Sequence, residues 1–341
     1  MKPTSTDDVF DLIDACTTSA ALGAAMELGL FWLLEEQPSS VADVAQALGI
    51  PTTRCQYWLQ LLASVGLVEQ VPQGYAPSPT ARAAILDAYS HETWAFLARE
   101  ARDRFPAVHN LALYIGEPGS TWAAQGLTPP DYFAQISENP ERARRFTRML
   151  YEIHLPLADM VAQSLDMSGV DRLMDLGGGS GAVSLALLRR YPQVTAVVVD
   201  IANVCAAGRE IAAEHGLEER ITYHVADFLR DELPCGFDMV LQCDVGAYSE
   251  AVLPKLQATL NPDGRLVIVD QFALPSGIAP PSWLYWAFLA SLENPGFTLT
   301  TAAEIRSRLR QAGFEVLSER TLPHREVWRW SSDWVVIEAR R

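Results

Sequence analysis

Asp175-Leu176-Gly177-Gly178-Gly179-Ser180-Gly181 decides how this 341-residue chain is read. The stretch follows the short run Arg172–Leu176 and precedes Ala182–Arg190, whose apolar residues recur at helical spacing. Between a strand and a helix, glycines permit a tight turn and let a ligand approach the backbone closely. Further on, short runs rich in branched apolar residues alternate with helical stretches: Val194–Asp200, Ile221–Ala226, Met239–Cys243, Leu266–Asp270 and Trp334–Ala339. That alternation predicts βαβ units. Residues 169–341 are therefore expected to form an α/β, Rossmann-like domain around a mostly parallel seven-stranded sheet.

On its own, Gly177-x-Gly179-x-x-Ala182 also fits a dinucleotide-binding fingerprint. Three carboxylates point instead to S-adenosylmethionine (SAM). Asp175 lies two residues before the first glycine, where it attracts a cationic ligand and repels a pyrophosphate. Asp200 ends the second strand, placed to accept ribose hydroxyls. Asp227, in Ala226-Asp227-Phe228, ends the third, where a carboxylate can receive an adenine amino group and Phe228 can cover the ring. The plainer reading is that each aspartate caps a helix, but their occurrence at three consecutive strand ends favours a ligand. The expected cofactor residues are Asp175, Gly177, Gly179, Gly181, Asp200, Asp227, Phe228 and Cys243.

Residues 1–105 read as helical. Ser39-Ser40 can cap a helix that Gly49 ends; Pro51-Thr52-Thr53 opens the next, which stops at Gly66. Leu67–Val71 and Gln73-Gly74-Tyr75 then resemble strand, turn and strand, completing a winged-helix pattern. Charge argues against DNA binding: these residues carry six basic and thirteen acidic side chains, and the would-be recognition helix has only Arg54. Leu22, Leu28, Leu30, Phe31, Trp32 and Leu33 offer more apolar surface than one helix face needs, which suits packing and dimerisation. Residues 106–168 read as a helical connector punctuated by Pro106, Pro118, Pro129, Pro130 and Pro140, with a helix opening at Asn139-Pro140-Glu141 and running toward Pro156.

The whole chain carries 42 acidic and 26 basic residues, a formal charge of −16 at pH 7, so nucleic acid and anionic membrane surfaces are not expected partners. The first residues lack the pattern of a secretory signal, and no run reaches 18 uninterrupted apolar residues. Cys16, Cys55, Cys205, Cys235 and Cys243 are scattered and lack CxxC spacing. Reduced thiols in a cytoplasmic protein, with no metal site, are expected.

With these features together, the sequence resembles the class I SAM-dependent O-methyltransferases of plant phenolic and bacterial polyketide metabolism. Besides the glycine loop and its acids, the likeness rests on Tyr132-Phe133, Asn139-Pro140-Glu141-Arg142-Ala143 and Asn261-Pro262-Asp263-Gly264-Arg265-Leu266. It implies an N-terminal winged-helix dimerisation domain (1–105), a connector that contributes to the substrate pocket (106–168), a SAM-binding domain (169–341), and a homodimer whose N-terminal helices close the partner's pocket. The implied substrate is a small aromatic or polyketide-like secondary metabolite of the antibiotic kind.

One part of the family pattern breaks. The family's fourth strand leads to a histidine that removes the acceptor's proton; aligning Asp238–Tyr248 puts Ala247 there, and no histidine occurs between His224 and His324. Asp270 matches the first acid that orients that histidine, whereas the second falls near Leu299. Methyl transfer depends chiefly on holding donor and acceptor in attack geometry, and a general base adds typically 10²–10⁴-fold. An acceptor that is already ionised, or another residue, can make up the loss. His154 is the leading candidate, with Asp244, Asp270 and Tyr248 beside it; a lone histidine is otherwise a structural residue. A non-methylating tailoring reaction (cyclisation, decarboxylation or hydroxylation) on the same scaffold is the alternative. Pro280–Leu289 is rich in aromatics, and at helical spacing Trp283, Trp286 and Ala287 share a face. The family places this helix over the substrate, so these three and Met149 are the expected substrate contacts. A plain core helix is the competing reading.

Overall fold

The computed structural model describes residues 3–128, 131–322 and 334–341. Pro129, Pro130 and His324, named above, lie outside the described residues. The chain divides into two compact units, Met1–Leu111 and Ala112–Arg341.

In the first unit, five longer helices surround a small hairpin: α1 (Thr6–Glu27), α2 (Leu30–Glu36), α3 (Val41–Leu48), α4 (Thr52–Ser64) and α5 (His91–His109). Ser5 and Asp8 form a capping box at the start of α1. Gly29, in the left-handed region, lets α1 give way to α2, so Leu28 and Phe31 belong to different segments. Ser40 caps α3 by accepting the Asp43 N–H, and Gly49 ends it left-handed. Strands β1 (Val68–Val71) and β2 (Gly74–Pro77) pair antiparallel. Gly74 is required by close approach: a Cβ there would lie 2.1 Å from the Ser39 carbonyl oxygen. Phe31, Leu34, Leu59 and Leu62 fill the core between the helices. By length and composition alone α1 could cross a membrane, although Asp7, Asp8, Asp11 and Asp14 crowd its first half. Its residues Val9, Phe10, Leu12 and Ile13 are exposed on this unit.

The second unit is built on a seven-stranded sheet: β3 (Arg172–Leu176), β4 (Thr195–Asp200), β5 (Ile221–Val225), β6 (Phe237–Cys243), β7 (Leu260–Gln271), β8 (Glu315–Thr321) and β9 (Trp334–Arg340). The spatial order is β5-β4-β3-β6-β7-β9-β8. The first five run parallel, and β9 is antiparallel to both of its neighbours. Sequence patterning anticipated every strand but β8, whose Glu315-Val316-Leu317-Ser318-Glu319-Arg320-Thr321 lies at the sheet edge and is exposed at alternate positions. Its polar side chains hide the apolar signal.

Helices α6 (Pro140–Ser164), α7 (Ala182–Arg190) and α8 (Ala202–Glu214) cover one face through Leu157, Val161, Leu185 and Ile211. On the other face lie α9 (Leu253–Thr259) and α11 (Ala302–Gln311), packed through Leu256, Ile305 and Leu309. Helix α10 (Leu284–Glu293) carries the aromatic run. α6 does not stop at Pro156 but continues to Ser164. Proline forfeits one helical N–H there, and burial of Leu157, Met160 and Val161 beyond it keeps the helix going.

Candidate active site

The order of the sheet reverses between β3 and β6, and ligands of such sheets bind outside the carboxyl ends of strands at that switch point. The glycine loop sits there. Gly177 is left-handed, and a Cβ on it would lie 2.9 Å from Val245 Cγ1 and 3.5 Å from Phe228 Cε1. Gly181 is the left-handed N-cap of α7; a Cβ there would meet the Tyr223 hydroxyl at 2.7 Å. That hydroxyl donates to the Ser180 carbonyl, tying the loop to β5. Gly179 is also left-handed but faces open space.

The three strand-end aspartates differ in kind. Asp175 lies beneath the loop, almost fully buried; its Oδ2 accepts the Ser184 hydroxyl at 2.7 Å, while its Oδ1 is buried without a hydrogen-bond partner. Burial, chiefly, and the neighbouring Asp200 push its pKa up to about 6. Asp200 accepts the Gly179 N–H on Oδ2 at 3.0 Å and the Ile201 N–H on Oδ1 at 2.8 Å, so it holds the loop's shape. Burial raises its pKa too. Asp227 accepts the Leu229 N–H at 3.0 Å in a turn that presents Phe228 beside the loop. One buried and one half-buried carboxylate, both with raised pKa values, and one orphaned oxygen form a site short of positive charge. A sulfonium cation supplies that charge, so the residues present suit SAM.

Val245 joins this loop to a cavity of about 550 Å³. Leu150, Ile153 and His154 of α6, Asp244, Gly246 and Tyr248 after β6, and Asp270, Gln271 and Phe272 at the end of β7 line it. Trp283 and Trp286 of the aromatic run, Phe297–Thr300 and Trp334 complete the wall. Trp283 and Trp286 lie 4.8 Å apart, ring centre to ring centre, and Phe297 meets Trp286 edge-on at 5.2 Å.

Two polar pairs face this space. His154 Nε2 lies 3.1 Å from Asp244 Oδ2, and its Nδ1 lies 2.9 Å from the Leu150 carbonyl. Asp244 is the one left-handed non-glycine residue among the described residues, a conformation that aspartate tolerates better than most. In the second pair the Tyr248 hydroxyl donates to Asp270 Oδ2. The same oxygen takes the Gly246 N–H at 3.3 Å, and Oδ1 takes the Gln271 N–H at 2.7 Å. Burial, with Asp244 nearby, pushes the Asp270 pKa up to about 7. Burial and Asp270 itself push the Tyr248 phenol well above its ordinary value.

Of the expected substrate contacts, Trp283 and Trp286 line the cavity, while Met149 and Ala287 do not. Leu150, Ile153 and His154 of α6 reach the cavity, whereas Met149 beside them is buried in the core. Cys243 closes β6 one residue before Asp244. Sequence reading missed Phe272, Phe297 and Trp334. Phe272 lies just past the end of β7, two residues after Asp270; Trp334 enters only because β9 pairs with the end of β7, Gln271 opposite Trp334. Leu299, at the place of the second family acid, is a cavity residue with an apolar side chain. No group of His, Cys, Asp and Glu is placed to hold a metal ion among the described residues.

The fold and this cleft define a SAM-dependent methyltransferase, and the chain belongs to the O-methyltransferase family: residues 115–315 match its O-methyltransferase domain and residues 10–86 its dimerisation domain. The chain is 32% identical over 314 residues to the 3-hydroxy-5-methyl-1-naphthoate 3-O-methyltransferase of Streptomyces sahachiroi, covering 89% of this chain and 88% of that one. It is 26% identical to the N,N-dimethyltransferase OxyT of Streptomyces rimosus, over 96% of this chain and 95% of the relative. The solved structure of PigF with S-adenosylhomocysteine (SAH) superposes with a TM-score of 0.83 at 19% identity, covering 99% of this chain and all of that one, which speaks to the fold. SAM is accordingly the cofactor.

Proposed function

We propose that this enzyme methylates a small, flat, aromatic or polyketide-like secondary metabolite and works as a homodimer. The observation that carries the reading is the cavity itself: about 550 Å³, walled by Trp283, Trp286, Phe297 and Phe272, and joined through Val245 to the glycine loop. Aromatic walls favour a planar apolar ring, and the few polar groups among them orient it. The naphthoate relative is a bacterial enzyme whose named acceptor is such a ring.

SAM, when bound, supplies an electrophilic methyl group on a positively charged sulfur. The chain's own residues do the rest. Asp200 shapes the loop through the Gly179 and Ile201 amides and keeps acceptor capacity for ribose hydroxyls. Phe228, beside the loop, would cover the adenine of bound SAM, and Asp227 and Cys243 stand at the ends of β5 and β6. The field of Asp175 favours the cation. Gly177 and Gly179 keep the approach free of side chains. The aromatic wall then holds the acceptor in line for attack, where most of the rate gain arises. The connector 106–168 enters this site through Leu150, Ile153 and His154 of α6. The exposed Val9, Phe10, Leu12 and Ile13 of α1 meet the second subunit, giving that helix a protein rather than a lipid partner. The reduced thiols fit a cytoplasmic site, and the acidic first unit gives nucleic acid no purchase.

Methyl-labelled SAM incubated with a panel of naphthols, hydroxynaphthoates and aromatic amines tests the proposal. Label in the product with one SAH per turnover is the expected result. Conversion of an acceptor without SAM consumption overturns it in favour of a non-methylating reaction.

A further inference from the structure

The cavity contains one phenol–carboxylate pair that the reading above leaves without work. Tyr248 and Asp270 both line the cavity, and both are otherwise buried. A carboxylate in such a place needs donors, and Asp270 has three: the Tyr248 hydroxyl and the amides of Gly246 and Gln271. The loop that delivers two of them is held in turn by Gln242, a fully buried side chain whose amide nitrogen donates to the Ala247 carbonyl at 3.2 Å. The main chain around 246–248 is thus pinned from β6 and β7 together, and Tyr248 is aimed at Asp270 by that pinning.

The other titratable candidate is less open. His154 meets an acceptor at each ring nitrogen, the Leu150 carbonyl and the Asp244 carboxylate, so taking a further proton from an acceptor requires it to let Asp244 go. Tyr248 requires no such release. Its oxygen donates one hydrogen bond to Asp270 and keeps lone pairs with which to accept another from a hydroxyl lying in the cavity.

We propose that Tyr248 and Asp270 form the proton acceptor of this enzyme, with the tyrosine hydroxyl relaying the acceptor's proton to the buried carboxylate. This rests on the methyl-transfer reading and narrows its substrate to one presenting a hydroxyl. As the acceptor oxygen forms its bond to the methyl carbon, the carbon–sulfur bond breaks and its electron pair stays on sulfur, leaving a neutral thioether. The acceptor's proton passes to Tyr248 Oη, the proton already on Tyr248 passes to Asp270 Oδ2, and the step ends with Asp270 neutral and Tyr248 again a phenol. The tyrosine never has to exist as a free phenolate, which its buried place disfavours. Asp270 has the basicity the task needs near neutral pH, since burial and Asp244 lift its pKa to about 7. The groups that face Asp270 are Tyr248 and Asp244 on the loop after β6, Cys243 at the end of β6, and, through Asp244, His154 on α6; Trp334 on β9 is neutral. Because the base form is the ionised one, turnover rises with pH through about 7.

Two measurements decide this. The first needs no turnover: the protein carrying ¹³C-labelled aspartate carboxyls is titrated by NMR, with and without SAH. One carboxyl titrating near 7 is expected, absent in Asp270→Asn and moved to higher pH in Tyr248→Phe, because the lost hydrogen bond favoured the ionised form. A carboxyl that titrates alike in wild type and Tyr248→Phe overturns the pair. The second is label transfer from SAM to naphthols of graded acidity. Tyr248→Phe and Asp270→Asn should each lower kcat by about a hundredfold on weakly acidic naphthols, with SAH affinity unchanged and a smaller loss on naphthols already ionised. An equal kcat in wild type and both variants overturns the relay. If wild type transfers no label to any naphthol or amine, the methyl-transfer reading fails on its own evidence, and the carboxyl titration still decides whether the pair exists.

Discussion

The two ends of the cleft are made in opposite ways. At the cofactor end, Asp175, Asp200 and Asp227 stand at the tips of β3, β4 and β5, and the loop between Asp175 and Ala182 is fixed by its own backbone and by Asp200. Every part is a strand end or a turn within about fifty residues. At the acceptor end the wall is gathered from α6, the loop after β6, the end of β7, the aromatic run, residues 297–300 and β9. The first end is rigid, charged and local. The second is assembled by topology, and its polar groups come in pairs that restrain each other.

That contrast predicts which substitutions act where. The largest effect belongs to Asp200→Ala. Two loop amides lose their acceptor, and a hydrogen bond to a charged group contributes about 1.5–3 kcal/mol, so calorimetry should find SAH binding weakened by about a hundredfold. An affinity within a factor of three of wild type would mean the loop holds its shape without that carboxylate, and the cofactor end would no longer differ from the acceptor end in rigidity.

His154→Ala should act at the acceptor end alone. The imidazole meets the Asp244 carboxylate, and Asp244 is the charged group that, after burial, most raises the pKa of Asp270. With the histidine's hydrogen bond to Asp244 gone, Asp244 repels the ionised form of Asp270 more strongly. The acid limb of kcat then moves to higher pH, kcat at pH 7 falls, and the SAM dissociation constant stays as it was. Unchanged turnover would remove His154 from the mechanism.

Asp175 gives the cofactor end its own pH dependence. Its pKa in the free protein is about 6, raised above the ordinary value of 3.8, so between those values the folded protein binds more protons than the unfolded chain and loses stability as pH rises. A cation nearby favours the ionised form and offsets that loss. SAM affinity should therefore fall as pH drops below about 6, by up to about tenfold per unit, whereas neutral SAH should respond much less. Parallel curves for the two ligands would show that the buried carboxylate does not sense the sulfonium charge.

How much of this was legible in the sequence follows from the same division. The glycine loop and its acids were readable because a strand end, a turn and a helix start are each marked by residues a few positions apart. Trp334 and Gln271 touch because of antiparallel pairing across the sheet, and nothing in either segment announces the other. The absence of histidine between His224 and His324 was plain from the chain, but the hydrogen bond from Tyr248 to Asp270 depends on how Gln242 and Gly246 shape the intervening loop. Met149 is buried next to the cavity-lining Leu150 and Ile153 of α6, and nothing in the local sequence distinguishes its place from theirs.

The smallest effects come from single rings, and they test the comparison most finely because each end has one with an aliphatic substitute of tolerable size. Phe228 lies beside Gly177 at the cofactor end; Trp286 lies against Trp283 and Phe297 at the acceptor end. An aromatic contact is worth about 0.5–1.5 kcal/mol beyond its buried area, which corresponds to a threefold to tenfold change in affinity. Phe228→Leu should raise the SAH dissociation constant by about that factor and leave the acceptor KM alone. Trp286→Leu should raise the acceptor KM by a similar factor and leave SAH binding alone. If instead either variant shifts both constants together, Val245, the side chain in contact with the glycine loop on one side and the cavity on the other, transmits ligand position between the ends, and the cleft behaves as one site rather than two.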